Sequence, residues 1–217
     1  PDPDFALSPY FPALRETAAE YGLNVTVAEK TKVLQGSVRS AELKGGMREH
    51  LIHFFAEAAD GACANEVVRI RFDVDTNPPA GAVHETRHLA APDSCPVRLH
   101  AIPSLFAGKI LAVLCRGWRG RVKGRDLYDF AFYLSLGARF SLPYLHAGLI
   151  RAGRLSPEDA CTPDTVRDML CARFASLDFA MARDDAAPFV RDPAPLALWS
   201  ADHFAGLAQE LGAEDGC

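Results

Sequence analysis

Residues 108–130, GKILAVLCRGWRGRVKGRDLYDF, predict two helices joined by a basic loop. The first half is apolar at helical spacing around one lysine, Lys109, and the second half starts with Asp126 and Asp129. The cations between these halves are Arg116, Arg119, Arg121, Lys123 and Arg125. Because the chain as a whole has a net charge of -5, this positive charge is a local feature. It favours a site for an anion over a general nucleic-acid coat.

Lys109 has two interpretations in the sequence. A helix that begins at Ser104 places Lys109 and Arg116 on one face, two turns apart. A lysine among apolar residues either extends its ammonium group to water or neutralises an anion. Asp126 and Asp129 share a face of the next helix. The sequence alone therefore leaves open an ion-pair clasp between the helices, a capping role for the aspartates, or a ligand site.

The loop has more cations than two aspartates can neutralise. Its glycines, Gly117, Gly120 and Gly124, allow a phosphate to approach the backbone closely. We therefore predict a nucleotide-phosphate site, although a merely solvated loop fits the same composition. The nucleotide-binding residues expected there are Lys109, Arg116, Lys123 and Arg125. The alternative function is a non-catalytic module that docks RNA or a protein on the basic loop 116–125.

Residues 66–79, EVVRIRFDVDTNPP, predict the clearest strand of the chain, which the proline pair ends. Val68, Ile70, Phe72 and Val74 alternate with a polar face that ends in Asp73 and Asp75. Two carboxylates on one face of a strand can hold a divalent cation. Asp73 and Asp75 are therefore the predicted metal ligands, although exposed strand carboxylates are common.

Strands early and helices late predict an α+β fold. A helix is expected at 13–23, strands at 24–30, 33–43 and 96–103, and either a helix or a strand pair at 45–61. Later helices are expected at 104–116, 126–137, 142–153, 156–160, 162–177 and 200–212, several of them after a Ser or Thr cap. We predict a sheet lobe over 1–102 and a helical lobe over 103–217.

The segment VHETRH contains the zinc-protease pattern H-E-x-x-H as His84, Glu85 and His88. That chemistry requires both histidines on one face of a stable helix. Prolines on both sides and the absence of an apolar stripe predict a loop instead, so a zinc hydrolase is disfavoured. His50 and His53 are expected to be ordinary surface residues.

Composition limits the class of protein. Apolar stretches are far shorter than the roughly 20 residues of a membrane span, so no membrane contact is expected. The six cysteines lack regular spacing and predict reduced thiols in a cytoplasmic protein. The opening PDPDF has no Met and resembles a linker, which predicts a fragment of a longer protein.

Several segments together resemble the abortive-infection nucleotidyltransferase toxins of the AbiEii type. They are SVRSAELKGGMREHLI (37–52), RIRFDVDTNPPAGAVHETR (69–87), IPSLFAGK (102–109), LCR (114–116) and VKGRDLYDF (122–130). The resemblance extends from about residue 15 to residue 150. It implies a nucleotidyltransferase-like mixed sheet followed by a helical region, and metal-dependent transfer of a nucleotide from an NTP. It also implies a cognate antitoxin, a Mg²⁺ or other divalent cofactor and, in some members, a tRNA or other RNA acceptor.

The resemblance also implies roles for individual residues. Lys109 matches the lysine expected to hold the triphosphate, and Asp126 and Asp129 match the R-D-x-x-D pair, of which at least one is functional. We infer in addition that Asp73 supplies a further catalytic carboxylate. Fixed cations and metal suit phosphoryl transfer, whose developing charge lies on the phosphoryl oxygens.

Two departures from the family pattern affect these expectations. The amino-terminal Gly-Gly-Ser/Thr turn and D-x-D metal pair are absent, and Asp2 and Asp4 mimic that pair only superficially. The loop 117–121 is also longer than in the family, which would alter contacts with the acceptor or the antitoxin. We therefore expect an impaired enzyme when this chain acts by itself.

Overall fold

The structure, a computed structural model, describes residues 4–29, 37–46, 67–91, 93–117 and 122–214. Contacts divide the chain into two compact units, Pro1–Pro78 and Pro79–Cys217. Helices and antiparallel sheets occur side by side, which confirms the α+β class. The predicted division into lobes at residues 102 and 103 stays a prediction.

The first unit contains a helix and a three-stranded antiparallel sheet. Helix α1 spans Phe11–Glu20, and strands β1 (Val25–Glu29), β2 (Val38–Gly46) and β3 (Val67–Asp75) lie in the order β1-β2-β3. Gly22 follows the end of helix α1, and its φ of 70° is a backbone conformation that glycine adopts without strain. The predicted helix and strands are thus confirmed. The undecided segment 45–61 reaches the end of β2 and otherwise lies outside the described residues.

One face of this sheet forms a small core and the other is polar. Val25, Val27 and Leu43 are buried, and Phe72 packs against them together with α1. The register pairs Ser40 with Asp73, so the carboxylates of β3 lie on the face opposite this core.

The second unit opens with a hairpin whose second strand was predicted and whose first strand, in the segment VHETRH, was expected to be a loop. Strands β4 (His84–Leu89) and β5 (Cys95–His100) pair antiparallel over their full lengths. The prolines that precede β4 lie outside the paired residues, so they do not interrupt the hydrogen bonds between β4 and β5. His84 and His88 therefore lie on a strand, with Cα atoms about 13 Å apart at strand rise. This geometry rules out the helical zinc-protease arrangement.

Helices make up most of the second unit. They are α2 (Ile102–Cys115), α3 (Gly124–Ser135), α4 (Leu142–Arg151), α5 (Pro163–Ala175), α6 (Phe179–Ala186) and α7 (Ala201–Gln209). Two two-residue strands, β6 (Phe140–Ser141) and β7 (Ala213–Glu214), pair in parallel. The cap predicted at Thr162 is confirmed, and Ser141 and Ser200 also cap their helices, because each of the three accepts a hydrogen bond from the backbone three residues on. The cap predicted at Ser156 is wrong, since no helix follows it.

The helix predictions failed in two places. The segment 156–160 forms a turn in which the Asp159 carboxylate accepts hydrogen bonds from both the backbone and the hydroxyl of Ser156. Such a local side-chain bond competes with helix formation. Helix α6 was not predicted, although Asp178 caps its first turn.

An aromatic cluster forms the centre of the second unit. Phe106, Phe130, Phe174 and Phe204 are fully buried. The ring centroids of Phe130 and Phe174 are 5.7 Å apart, and those of Phe174 and Phe204 are 5.3 Å apart. Because Phe106 lies on α2 and Phe130 on α3, this core fixes the two helices that carry the predicted site.

Candidate functional site

Lys109 on α2 and Asp129 on α3 form an ion pair. The distance from Lys109 Nζ to Asp129 Oδ2 is 2.5 Å. Their side chains remain 37% and 36% exposed, so water and solutes reach both groups. The pair therefore neutralises both charges and leaves them accessible to a competing anion or cation.

Arg116 and Asp126 form a second ion pair between the two helices. Arg116 Nη1 donates to Oδ1 and Oδ2 of Asp126, each at 2.8 Å. Asp126 is 6% exposed at its side chain, whereas Arg116 is 52% exposed. The structure thus brings four predicted site residues together as two ion pairs, the clasp that the sequence had left open.

Two arginines, Arg173 on α5 and Arg154 in the turn after α4, contact the end of α2. Arg173 donates to the carbonyl oxygens of Val113 and Arg116, both at 3.1 Å, and Arg154 donates to that of Leu114 at 3.1 Å. Cations at a helix C-terminus satisfy its unpaired carbonyls and complement its dipole. Burial lowers the pKa of Arg173, and the nearby Arg154 lowers it further. These contacts fix the position from which Arg116 extends.

The start of α3 is fixed by a backbone contact that only glycine permits. A Cβ atom on Gly124 would lie 1.8 Å from the carbonyl oxygen of Ala182 on α6. Gly124 therefore lets α3 approach α6 at its first residue. This contact fixes the position of α3, and therefore of Asp126 and Asp129, relative to α6. Gly124 thus has a packing role in addition to the close approach of a phosphate that the sequence suggested.

The remaining loop cations differ in their surroundings. The Arg125 guanidinium lies 4.4 Å from the centre of the Phe189 ring, and its Nε is 3.7 Å from Asp185 Oδ2. Lys123 makes no side-chain hydrogen bond or ion pair within the described part of the chain. Arg119 and Arg121 lie outside the described residues.

Asp73 and Asp75 lie on the polar face of β3 in the first unit. Asp73 Oδ1 accepts a hydrogen bond of 2.5 Å from the Ser40 hydroxyl and one of 2.8 Å from Arg71 Nε. Asp75 Oδ1 accepts from the Ser37 hydroxyl and from the backbone of Asn77. Both carboxylates are therefore engaged by the sheet, and a cation would have to compete with Arg71 for Asp73.

Within the five described ranges, no group of three or more His, Cys, Asp or Glu residues could hold a metal ion. Two carboxylates nevertheless remain compatible with magnesium, which often takes one or two protein carboxylates plus phosphate oxygens and water. His50, His53 and Asp2 lie outside the described residues.

Sequence reasoning missed Arg154 and Arg173, which position the site, and the exposed aromatic face of α3. The arginines carried no motif, because their partners are main-chain carbonyls far away in sequence. The aromatic face could have been found in DLYDFAFYL, where Tyr128 and Phe132 fall beside Asp129 and away from the buried Phe130.

Two general expectations can be compared with the structure. No helix in the described ranges is long and apolar enough to cross a membrane. Cys95, Cys115, Cys161 and Cys171 are free thiols, which agrees with the predicted reduced state of Cys115 and Cys171. Burial raises the pKa of Cys115, and the neighbouring Arg154 and Arg173 oppose that rise.

Comparisons with known proteins identify the family. No curated protein and no solved structure matches the chain significantly. The model of one family, described as the nucleotidyl transferase AbiEii toxin of type IV toxin–antitoxin systems, matches residues 2–208. This match covers nearly the whole chain, including both ion pairs and the strand that carries Asp73. The chain therefore belongs to the AbiEii nucleotidyl transferase toxin family.

Proposed function

We propose that this chain transfers a nucleotide from an NTP to an RNA acceptor, and that Lys109 and Arg116 hold the phosphates. The observation that carries the proposal is the pair of accessible cations on α2 and directly after it, each held by a carboxylate of α3. The family supports a toxin nucleotidyltransferase role and an antitoxin partner. The NTP and an RNA acceptor such as tRNA are the parts that we add.

Exchange of partners would let the ion pairs accept a substrate. A phosphate has more charge and more acceptor oxygens than a carboxylate, so Lys109 can leave Asp129 for the triphosphate at little cost in an accessible pair. Arg116, which is half exposed, can bind phosphate through its other guanidinium nitrogens while it keeps Asp126. Lys123 and Arg125 would extend the positive surface at the start of α3.

The transfer itself requires attack by an acceptor hydroxyl oxygen on the α-phosphorus of the NTP. A new P–O bond forms, the bond to the bridging oxygen breaks, and pyrophosphate leaves. The hydroxyl proton would pass to the Asp129 carboxylate, which Lys109 has released. Asp126, whose two oxygens both bind Arg116, would orient that cation.

We also propose that the first unit binds magnesium at Asp73 and Asp75, with Asp73 as a catalytic carboxylate. The support is the chemistry of the donors: two carboxylates, two residues apart, on one strand face. When bound, magnesium supplies charge neutralisation for phosphate oxygens. Asp73→Asn and Asp75→Asn should each weaken magnesium binding in calorimetry, and unchanged binding in both would contradict this assignment.

The nucleotide site can be tested by calorimetric titration of the four NTPs, with magnesium, into three proteins. The wild-type chain and Lys44→Ala should bind at least one NTP, whereas Lys109→Ala should not. Lys44 is a suitable control because it is an accessible lysine in an ion pair with Glu42 and has no proposed role. The thermal midpoint of Lys109→Ala should stay close to that of the wild type, because an accessible ion pair contributes about 0–1 kcal/mol.

A second candidate is a non-catalytic module that docks RNA or a protein on the basic loop 116–125. The observation that favours it is that Asp126 and Asp129 both have structural ion-pair partners. In that case Lys109→Ala would lose stability without any loss of NTP binding. A failure of all three proteins to bind any NTP would also count against the nucleotide site.

A further inference from the structure

A groove beside α3 has the chemistry of a site for a nucleobase. Its walls come from one face of α3 and from the segment 187–199 that follows α6, and it encloses about 440 Å³. This volume is within the range of pockets that hold small organic ligands. We call it the α3 groove, and the lining residues that matter here are Tyr128, Phe132, Ser135, Arg191, Leu196 and Trp199.

Two aromatic side chains of the α3 groove are about half exposed. Tyr128 is 45% exposed and Phe132 is 48% exposed, one turn apart on α3. Trp199 is buried at the floor, where its ring meets Phe204 edge to face at 5.3 Å. A flat aromatic ligand could therefore stack on exposed rings above a rigid apolar floor.

Arg191 and Asp192 both line the edge of the groove. Arg191 lines it and makes no side-chain hydrogen bond or ion pair within the described part of the chain. The neighbouring Asp192 accepts a hydrogen bond from the backbone of Ala194 and so serves the local turn. Arg125 lies on α3 one turn before Asp129 and two turns before Phe132, so the stripe of α3 beside the groove is also cationic at its start.

We propose that the α3 groove binds an unpaired base of a single-stranded RNA, the acceptor strand of the proposed transfer. Aromatic rings with nearby arginines are the usual means of holding unpaired bases and their phosphates. Arg191 lines the groove and has no proposed role toward the NTP. An RNA strand has a phosphate at every nucleotide, so a stacked base would bring a phosphate that this guanidinium could bind. The inference rests on the proposed function for its substrate class.

The groove also explains how an acceptor could be aligned with the ion pairs. Phe132 and Asp129 are three residues apart on α3 and therefore lie on adjacent positions of its surface. A base stacked on Phe132 would place the rest of its nucleotide along the same helix as the carboxylate proposed to take the hydroxyl proton. The groove would thus act as a positioning site for the acceptor, and neither Lys109 nor Arg116, the proposed phosphate cations, lines it.

Trp199 gives this proposal a direct measurement. The chain has two tryptophans, so Trp118→Phe leaves Trp199 as the single indole reporter at the floor of the groove. In that background, a single-stranded oligoribonucleotide should change the Trp199 fluorescence on binding. Phe132→Leu should weaken binding about fivefold to 150-fold, which is the range expected for the loss of one stacked base. Phe132→Tyr should retain binding, since it keeps a ring.

The matched control is Leu136→Ala, directly after the end of α3 and 55% exposed, which should bind RNA as the parent does. Thermal midpoints of all variants should be similar, since Phe132 and Leu136 are each about half exposed. A duplex formed from the same oligoribonucleotide and its complement should bind more weakly than the single strand, because its bases are paired and stacked.

Three outcomes would overturn the proposal. The first is equal RNA affinity in Phe132→Leu and the parent. The second is a Trp199 response to free NTPs that matches or exceeds the response to RNA, which would make the groove an NTP base site. The third is unchanged RNA binding together with loss of antitoxin binding in Phe132→Leu, which would make it a protein-docking surface. Failure of the nucleotide site appears separately, in the Lys109 calorimetry.

Discussion

At the scale of single residues, the two aspartates of α3 differ in accessibility although they share one motif. Asp126 is 6% exposed and Asp129 is 36% exposed at the side chain. A buried carboxylate depends on its partner for solvation, whereas an accessible one does not. The two positions should therefore respond differently to the same substitution.

Asp126→Ala should lower the free energy of unfolding by about 1–3 kcal/mol, because it removes a charged hydrogen-bond pair from a buried position. Asp129→Ala should lower it by less than about 1 kcal/mol, as expected for an accessible pair. Denaturant titration of both variants measures the difference. Equal losses would show that burial does not separate the roles of these aspartates.

Asp129→Asn separates binding from chemistry. Lys109 would no longer be held by a charged partner, so NTP affinity should be maintained or increased. Transfer of labelled nucleotide to RNA should nevertheless fall by 10²-fold or more, about the contribution of one positioned proton acceptor. Parallel losses of binding and transfer would argue that Asp129 serves the fold of the phosphate site instead.

His100 should make the stability of the hairpin depend on pH. Burial lowers its pKa from the ordinary value of 6.5, and the neighbouring His84 and Arg98 lower it further. The unfolded chain thus binds more protons than the folded one once the pH falls below about 6.5, and stability declines there until the folded pKa is passed. The thermal midpoint of His100→Gln should therefore change less between about pH 7 and pH 5 than the midpoint of the wild type. An identical decline in both proteins would exclude His100 as its source.

At the scale of elements, the site depends on how α3 starts and how α2 ends. Gly124 lets α3 contact the backbone of α6, and Arg173 and Arg154 satisfy the last carbonyls of α2. These contacts are made to main-chain carbonyls, so they leave the side chains that are proposed to touch substrate free to do so. Both fix the elements from which Lys109, Asp126 and Asp129 extend.

Gly124→Ala should destabilise the protein by about 1–3 kcal/mol or more, because its Cβ would overlap the Ala182 carbonyl, which is main chain and cannot rotate away. Gly108→Ala is the matched control. A Cβ there meets nothing within 4 Å, so this change in the interior of α2 should stabilise by about 0.5–1 kcal/mol. Denaturation curves that moved in the same direction would contradict the packing account.

The sequence predicted these elements well and their contacts poorly. The alternation in β3, the caps of α4, α5 and α7, and the apolar run of α2 are local signals, and each element was confirmed. Strand β4 was missed because its pairing with β5, and not its own composition, makes it a strand. The segment 156–160 was predicted as a helix because its cap signal also fits a turn closed by Asp159.

At the scale of the whole molecule, the two units have cores of very different size. Among the described residues, the cluster of the first unit has three buried apolar residues, whereas that of the second contains five buried phenylalanines with many neighbours. Stability scales with apolar area removed from water. Within the second unit, substitutions of these buried phenylalanines should therefore lower the free energy of unfolding more than substitutions at exposed positions.

Phe204→Ala should lower the stability of the second unit by about 3–5 kcal/mol, the usual cost of a cavity left by phenylalanine. Phe204 touches Phe130, Phe174 and Trp199, so the cavity would open beneath the site and the α3 groove together. Leu198→Ala, at a position 67% exposed, should stay within about 0.5 kcal/mol of the wild type. Unfolding followed by circular dichroism measures both, and similar midpoints would contradict this view of the core.

The sequence by itself determined the α+β class, most helices and strands, the family, and the residue types available for phosphate binding. These follow from periodicity, caps and motif composition, which act over a few neighbouring residues. Only the tertiary structure decided which cation pairs with which aspartate, that Asp126 is buried while Asp129 is accessible, and that Tyr128 and Phe132 wall a groove. Those outcomes depend on contacts between helices distant in sequence, and no local pattern encodes the distance or the burial that a contact will have.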